Sequence, residues 1–231
     1  MSKSTIDHTP ASALGLSSVL AVIAHPDDES FGLGAVISAL LDAGVRISVL
    51  CFTRGAASTL RGTTDDLAAE RTSELADAAR VLGIDHVELL DYPDGALGSL
   101  AHDELVEHAR TTALTVSADA LLVFDEGGVT GHPDHVAATS AGVTAATALG
   151  LGALAWCLPV EVADTLRGQY GAAFVGRPPE ILDVRLTVDR SLQRQAAACH
   201  PSQAVPDSPL WRRLELLGDD EWLRWLRRPD Y

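Results

Sequence analysis

The sequence predicts an α/β fold, a Rossmann-like three-layer sandwich with a mostly parallel sheet and a small C-terminal extension. Three observations carry this expectation. Runs that are apolar from end to end recur along the first 160 residues, as at 18–24 (SVLAVIA), 45–53 (VRISVLCFT) and 118–124 (ADALLVF). Segments with helical spacing separate them. Dense polar clusters then follow the runs: HPDDE at 25–29, TRGAAST at 53–59, DYPDG at 91–95 and DEGGVTGHPDH at 125–135. Strands apolar on both faces are those covered on both sides, the condition of a parallel sheet between helical layers. In such sheets the strand ends share an edge where ligands bind, so residues distant in sequence can meet there.

The elements follow in order. After the strand at 18–24, positions 30–43 have helical spacing and stop at Gly44. The strand at 45–53 leads into a Gly/Ser/Thr-rich loop, 54–64, which has the composition of a lid or of a plain connection. A helix is expected over 65–82, acidic at its start and closed by Gly83. A short strand at 86–90, a helix at 101–116 and the strand at 118–124 come next. A further helix starts near Pro133, a residue suited to a first helical turn, and runs to about residue 148. Residues 154–160 read as another strand. Beyond them the rhythm breaks: 180–188 reads as an extra strand, 190–199 as a helix, and the end as one or two short helices. The expected division is a flexible tail at 1–16, one domain over 17–203, and a helical extension of that domain at 204–231.

Composition excludes several classes. The 231 residues are 47% hydrophobic, enough to bury a large core. Mean hydropathy is +0.14, yet no apolar run approaches the roughly 20 residues that span a membrane. The opening MSKSTIDHTPAS lacks the basic-then-apolar plan of a signal peptide. A net charge of −15 repels phosphate backbones and argues against a nucleic-acid partner. Cys51, Cys157 and Cys199 are odd in number and widely spaced, as expected of reduced thiols in the cytoplasm. Residues 211–231 hold three of the four tryptophans and five arginines, offset by five acidic residues. That balance suits packing against the domain or a sister subunit, and a homo-oligomer is compatible with it.

Two segments carry chemistry. His25 and Asp28 lie three residues apart across a strand-to-helix turn and can face one point. An imidazole with a carboxylate suits Zn²⁺ or another borderline cation, whereas Asp27 and Asp28 alone would equally suit a helix cap. The second segment weighs against mere capping. In Gly131-His132-Pro133-Asp134-His135 the two histidines stand at i, i+3 at another strand end. A His/Asp/His set leaves a zinc coordination position open for water, as catalysis requires. Asp27, beside Asp28, is then the natural base, and whichever of His132 and His135 is not a ligand becomes the acid or oxyanion stabiliser. Asp134 is placed to orient that imidazole. Gly32-x-Gly34 opens a helix after a strand, but the third glycine of a dinucleotide fingerprint is replaced by Ile37, and three carboxylates in the turn would repel a pyrophosphate. Close backbone packing near the metal is the better reading of those glycines.

These residues resemble the PIG-L/LmbE-like family of metal-dependent N-deacetylases, marked by an AHPDDE box after the first strand and a later HPDH box. Arg71-x-x-Glu74, LGI at 82–84, PDG at 93–95 and His200-Pro201-Ser202-Gln203 are similar to further family elements. The likeness runs from about Val19 to Gln203. It implies a PIG-L-like deacetylase domain with His25, Asp28 and His135 as zinc ligands, Fe²⁺ being the alternative ion. It implies Asp27 as general base, His132 as the electrophilic or acid residue with Asp134 its partner, and Arg71 and Asp94 as substrate contacts. From spacing alone Arg71 and Glu74 would form a surface ion pair and Asp94 a turn residue. Thr130 stands where some members carry an oxyanion-supporting tyrosine. The implied reaction is hydrolysis of an N-acetylglucosamine-like amide, a small-molecule N-acyl amino sugar. An amidase acting on a non-sugar or thiol-conjugate amide through the same metal site is the alternative, and a non-enzymatic metal-binding protein the third reading.

Overall fold

The computed structural model of the protein describes residues 7–60 and 66–230. Positions 1–6 of the expected tail, 61–64 of the expected loop, Asp65 at the expected helix start, and Tyr231 lie outside the described residues.

The strands β1 (Ser18–Ile23), β2 (Arg46–Thr53), β3 (His86–Tyr92), β4 (Ala120–Phe124) and β5 (Gly152–Pro159) form the parallel body of the sheet. The helices α1 (Asp28–Phe31), α2 (Gly34–Asp42), α3 (Leu67–Leu82), α4 (His102–Thr115) and α5 (Pro133–Leu149) connect them. The remainder comprises α6 (Val160–Tyr170), the two-residue β6 (Gly176–Arg177), β7 (Val184–Thr187), α7 (Ser191–Ala198), α8 (Pro209–Leu217) and β8 (Asp220–Arg227). Strand order is β3-β2-β1-β4-β5-β8-β7, with β6 beside the end of β5. The α/β sandwich with a mostly parallel sheet agrees with the sequence expectation.

Burial explains why the strands were legible. In β1, Val19, Ala21 and Ile23 enter one core with Val36, Ile37 and Leu40 of α2 and Leu75 of α3. Leu20 and Val22 enter the other with Leu105 of α4 and Ala138, Ala141 and Ala145 of α5. Both faces are dry, so Val19 to Ile23 are apolar throughout, and the one polar side chain of the strand, Ser18 at its start, is satisfied by donating to the Val116 carbonyl at 3.2 Å. The chain reverses direction across the sheet between β1 and β4, the switch point where open α/β sheets bind ligands.

Three expectations need correction. The helix expected at 30–43 is two helices, broken at Gly32 and Leu33. A Cβ on Gly32 would lie 2.5 Å from the Phe124 ring, so the break brings backbone close against an aromatic side chain and only glycine fits. Beyond residue 160 a helix, α6, was not foreseen. The C-terminal extension expected as helical is one helix followed by a strand: β8 lies antiparallel between β5 and β7 inside the main sheet. Of its two arginines, Arg227 pairs with the exposed Asp230, and Arg224 turns inward to a buried acid. Arg224 Nε reaches Asp125 at 2.6 Å, and Arg177 holds the same carboxylate. Among the described residues, no helix is long and apolar enough to cross a membrane.

Buried charge locks this half of the sheet. Glu221 is fully buried; it takes a hydrogen bond from Trp156 Nε1 at 2.6 Å and pairs with Arg190 at 2.5 Å. Arg190 also donates to Gln193 and to the Asp220 carbonyl, both at 2.8 Å, joining α7 to β8 and β5. Removing one partner of such a pair leaves the other charged and dry. Arg190→Met is expected to lower unfolding free energy by about 3–5 kcal/mol, and Arg190→Met with Glu221→Gln by less; urea denaturation of the three proteins measures the difference.

Candidate metal centre and active site

The site forms where β1 and β4 end. After Ile23 the chain turns through His25, Pro26 and Asp27 into α1, and Asp27 takes φ 117°, a left-handed conformation rare outside glycine. Two contacts hold it. Its N–H donates to the Glu29 carboxylate at 2.9 Å, and its own carboxylate receives Arg71 Nη2 at 3.0 Å. Arg71, on α3, is fixed in turn by the carbonyls of Gly55, at 2.8 Å, and Pro26. Strain of this kind costs about 1–3 kcal/mol and persists only where surroundings overdetermine it.

Asp28 folds back on the turn, Oδ2 accepting from the N–H groups of Ala24 at 3.1 Å and His25 at 3.0 Å. Its Oδ1 lies 3.2 Å from His135 Nε2, and His135 Nε2 lies 3.2 Å from His25 Nδ1. The Oδ2 atom of Asp28 is 3.9 Å from His25 Nδ1. The opposite edge of His25, Nε2, faces Asp94 at 3.0 Å and Asp134 at 3.3 Å. His135 Nδ1 donates to the Gly128 carbonyl at 3.1 Å, with Thr130 Oγ1 at 3.2 Å. The outer nitrogen of each imidazole thus meets oxygen acceptors, the contacts that orient metal-binding histidines, while the inner nitrogens face each other and Asp28. Burial opposes protonation of both rings, but Asp134 and Asp94 raise His25 to about 10 and Asp28 raises His135. Donor atoms of His25, His132 and His135 lie within 4.8 Å of one another, as do those of His25, Asp94 and Asp134.

The charges are strongly perturbed. Burial raises the Asp27 carboxyl to about 6, Arg71 pulling it back only in part. Burial also opposes ionisation of Asp28, but His135 and His25 hold it well below the usual carboxylate range. Asp94 behaves likewise, burial being outweighed by His25, and falls to about 2. Asp134 is lowered too, its burial outweighed by His25 and by the N–H groups of Gly95 at 2.7 Å and Leu97 at 3.0 Å. The result is a cluster of ionised carboxylates in a sparsely hydrated place. His132 is lowered by burial and by the neighbouring imidazoles. Its Nδ1 accepts the Asp134 N–H at 3.2 Å, capping α5 and leaving the ring proton on Nε2.

One cavity of about 350 Å³ is lined by His25, Asp27, Asp28, Arg71, Asp94, Thr130, His132 and His135, with Phe31, Phe124, Trp156, Gln203 and Arg213 among its other walls. The structure thus gathers the residues singled out from the sequence, with two differences of detail. The Asp134 side chain serves His25 rather than His132, which it meets only through its backbone N–H. Arg71 and Glu74 are both buried and do not pair with each other: Arg71 holds Asp27, while Glu74 accepts from Ser202 N at 2.8 Å and Ser202 Oγ at 2.6 Å.

His200 is neither a surface nor a pocket residue. It is fully buried, donating from Nε2 to Glu29 at 2.7 Å, with Glu74 3.8 Å from Nδ1. The chain Glu74–His200–Glu29 therefore ends on the N–H of Asp27. Glu29 and Glu74 belonged to motifs in the sequence, but nothing there revealed the role of Trp156, Phe124 or Arg213, which depends on how the C-terminal third packs.

Comparison with known proteins gives a family and a fold. The PIG-L family, described as GlcNAc-PI de-N-acetylase, matches residues 20–146. The 1D-myo-inositol 2-acetamido-2-deoxy-alpha-D-glucopyranoside deacetylase of Kineococcus radiotolerans is 28% identical over 225 residues, covering 83% of this chain and 59% of that protein. The diacetylchitobiose deacetylase of Thermococcus kodakarensis is 32% identical over 139 residues, 58% of this chain and 50% of that protein. The chain thus spans between half and three fifths of these curated relatives. A solved deacetylase of teicoplanin biosynthesis superposes with TM-score 0.70 at 20% identity, covering 93% of this chain and 99% of that one, a likeness of fold.

The His200 network generates a pH prediction. Burial would lower this imidazole, but Glu29 and Glu74 outweigh it and raise it to about 10. A pKa raised on folding adds stability that is complete below the unfolded value, about 6.5, and is lost as pH rises through the folded one. His200→Gln is expected to be less stable than the native protein at pH 6, with the gap narrowing between pH 6.5 and 10. Denaturation curves at pH 6 and 9.5 check this; a gap that widens with pH contradicts the ion-pair account.

Proposed function

Because this chain belongs to the PIG-L family of GlcNAc-PI de-N-acetylases, we propose that it is a zinc-dependent amidase removing an acetyl or similar acyl group from an N-acylglucosamine-like substrate. The observation that carries the reading is the triangle of His25 Nδ1, His135 Nε2 and the Asp28 carboxylate beside the buried carboxylate of Asp27, which ligates nothing in that triangle. Tetrahedral zinc with bonds of about 2.0–2.1 Å separates its donors by about 3.3 Å. Two sides of the triangle, from His135 Nε2 to His25 Nδ1 and to Asp28 Oδ1, are 3.2 Å and fit that requirement, while the third, from His25 Nδ1 to Asp28 Oδ2, is longer at 3.9 Å. Two imidazoles that would give up their inner protons to a metal ion, and a carboxylate, are donors that zinc accepts, and the surrounding acids favour a cation. Asp94 and Asp134 hold the outer edge of His25.

A divalent ion so held supplies Lewis acidity toward a carbonyl oxygen and lowers the pKa of a water to about 7. The protein does the rest. Asp27, raised to about 6, is matched to take a proton from an attacking water at neutral pH and to return it to the departing amine nitrogen. Arg71 fixes the direction of that carboxylate, which is the role we assign it in place of a direct sugar contact. His132, neutral and protonated on Nε2, donates a hydrogen bond to the oxygen that becomes negative as the amide carbon turns tetrahedral. Thr130 supports His135, so the oxyanion rests on His132 rather than on the tyrosine hydroxyl of some relatives. Asp94 and Gly95 line the β3 side of the cavity, where a sugar hydroxyl can be received. Two of the three thiols are buried and none is paired, in keeping with a cytoplasmic setting.

Three variants test the assignment. Asp27→Asn is expected to retain stoichiometric zinc while kcat/KM falls by about 10²–10⁴-fold; full activity in this variant removes Asp27 as the base. His25→Ala is expected to lose both metal, by elemental analysis, and turnover. His132→Ala, with metal retained, is expected to lower kcat by about 10²–10³-fold. Acetate release from N-acetylglucosamine derivatives and from simple N-acetyl alkylamines identifies the substrate class, and a zinc-loaded protein that releases acetate from neither overturns the amidase reading.

A further inference from the structure

We propose that Arg213 is the anion-recognition residue of this cavity, and that the substrate carries a carboxylate or phosphate a few bonds from the scissile amide. The inference rests on the amidase reading of the same site. Arg213, on α8, is only 6% exposed and lines the cavity that holds His25 and Asp27. Its guanidinium lies 4.9 Å from the Trp156 ring centroid. Trp156 meets Phe124 at 5.2 Å, and Phe124 meets His135 edge-on at 4.9 Å. Two aromatic rings therefore connect the cation to the metal site along one wall.

No acid among the described residues pairs with this cation. Among the described residues it makes one hydrogen bond, from Nη2 to the Phe31 carbonyl, and its Nε is buried without a partner. The nearby Glu221 is already held by Arg190 and Trp156. The other deeply buried arginines differ: Arg71 has Asp27 and Arg190 has Glu221. Burial lowers Arg213 to about 10, so it stays charged at neutral pH. A dry, unpaired cation is costly to keep, and a ligand anion entering the cavity would relieve it. A chain of net charge −15 repels anions at large, so an anionic substrate needs such a local attraction.

Position gives the direction. Asp94, Ala57 and Ser58 lie beyond β3 and β2, while Phe124, Trp156 and Arg213 belong to β4, β5 and α8 across the switch point. An amide placed at the metal site between these halves has room to extend its charged end toward Arg213. The charge sits either on the acyl group, as in a half-amide of a dicarboxylic acid, or on the amine-bearing part.

Zinc-loaded full-length protein is assayed with N-acetylglucosamine, N-succinylglucosamine and N-acetylglucosamine 6-phosphate. One of the two anionic compounds is expected to exceed the neutral one in kcat/KM by about tenfold or more, the worth of one charge-assisted hydrogen bond. Whether the succinyl or the phosphate compound gains places the charge on the acyl or the amine side. In Arg213→Met the ratio is expected to fall toward one, and in Arg213→Lys to recover in part. A native ratio near one for both anions, or a ratio that Arg213→Met leaves unchanged, overturns the proposal. If no compound is hydrolysed, or if the variant fails to fold, calorimetric binding to the native zinc protein decides. Tighter binding of either anionic compound than of N-acetylglucosamine sustains the anion site even where the amidase reading has failed, and equal binding overturns it.

Discussion

The arrangement of the whole strand-end region follows from crowding carboxylates into a place that water barely reaches. Asp27, Asp28, Asp94 and Asp134 all lie around the imidazole of His25, directly or one residue away. Unpaired charge in such surroundings is expensive. Each acid therefore has a dedicated partner: Arg71 for Asp27, backbone N–H groups and His135 for Asp28, Ala57 N–H at 2.8 Å for Asp94, and the N–H groups of Gly95 and Leu97 for Asp134. These partners come from the segments that follow β1, β2 and β3 and from the helices α3 and α5. Once they are satisfied, the loops have little freedom left, and the imidazoles are aimed inward.

Much of this could be read from the chain, for a reason that lies in particular residues. The strands were legible because both faces of β1, β2 and β4 are dry, which forces unbroken apolar runs. The residues proposed to hold the metal were legible because they sit next to one another in two short boxes. What could not be read depends on partners far away in sequence. Glu74 looked like the helical partner of Arg71, yet that face of α3 is covered, and each side chain finds a different segment, Ser202 and Asp27. Asp134 looked like the orienter of its neighbour His132, but the first turn of α5 turns its side chain away toward β3 and His25. The strand β8 was missed because Trp222, Arg224 and Trp225 lack a clean alternation; Arg224 is drawn inward by Asp125, 99 residues earlier.

The C-terminal third is thus part of the site rather than an appendage to it. The segment after α7 contributes Ser202 and His200, which brace α3 and the turn at Asp27 through Glu74 and Glu29, while Gln203 accepts from Ser58 at 2.8 Å on the cavity rim. Among the described residues, α8 supplies the one buried arginine that lines the cavity without an acid paired to it. The teicoplanin-pathway deacetylase shares the fold at 20% identity.

The first described residues have a bearing on colloidal behaviour. At the rim of the sheet, β7 is only four residues long, and His8 bridges to Arg185 while the Thr9 N–H donates to the Arg185 carbonyl at 2.8 Å. An open strand rim is a template on which a second molecule can add its own strand and begin a precipitate. Here the chain's own beginning occupies part of that template, and the charged Arg185 and Asp220 pair close by at 2.6 Å. The opposite rim, β3, carries His86, Glu88 and Asp91. The molecule is guarded against fibre-like growth at both ends of its sheet, by a short covering segment on one side and by the carboxylates of Glu88 and Asp91 on the other.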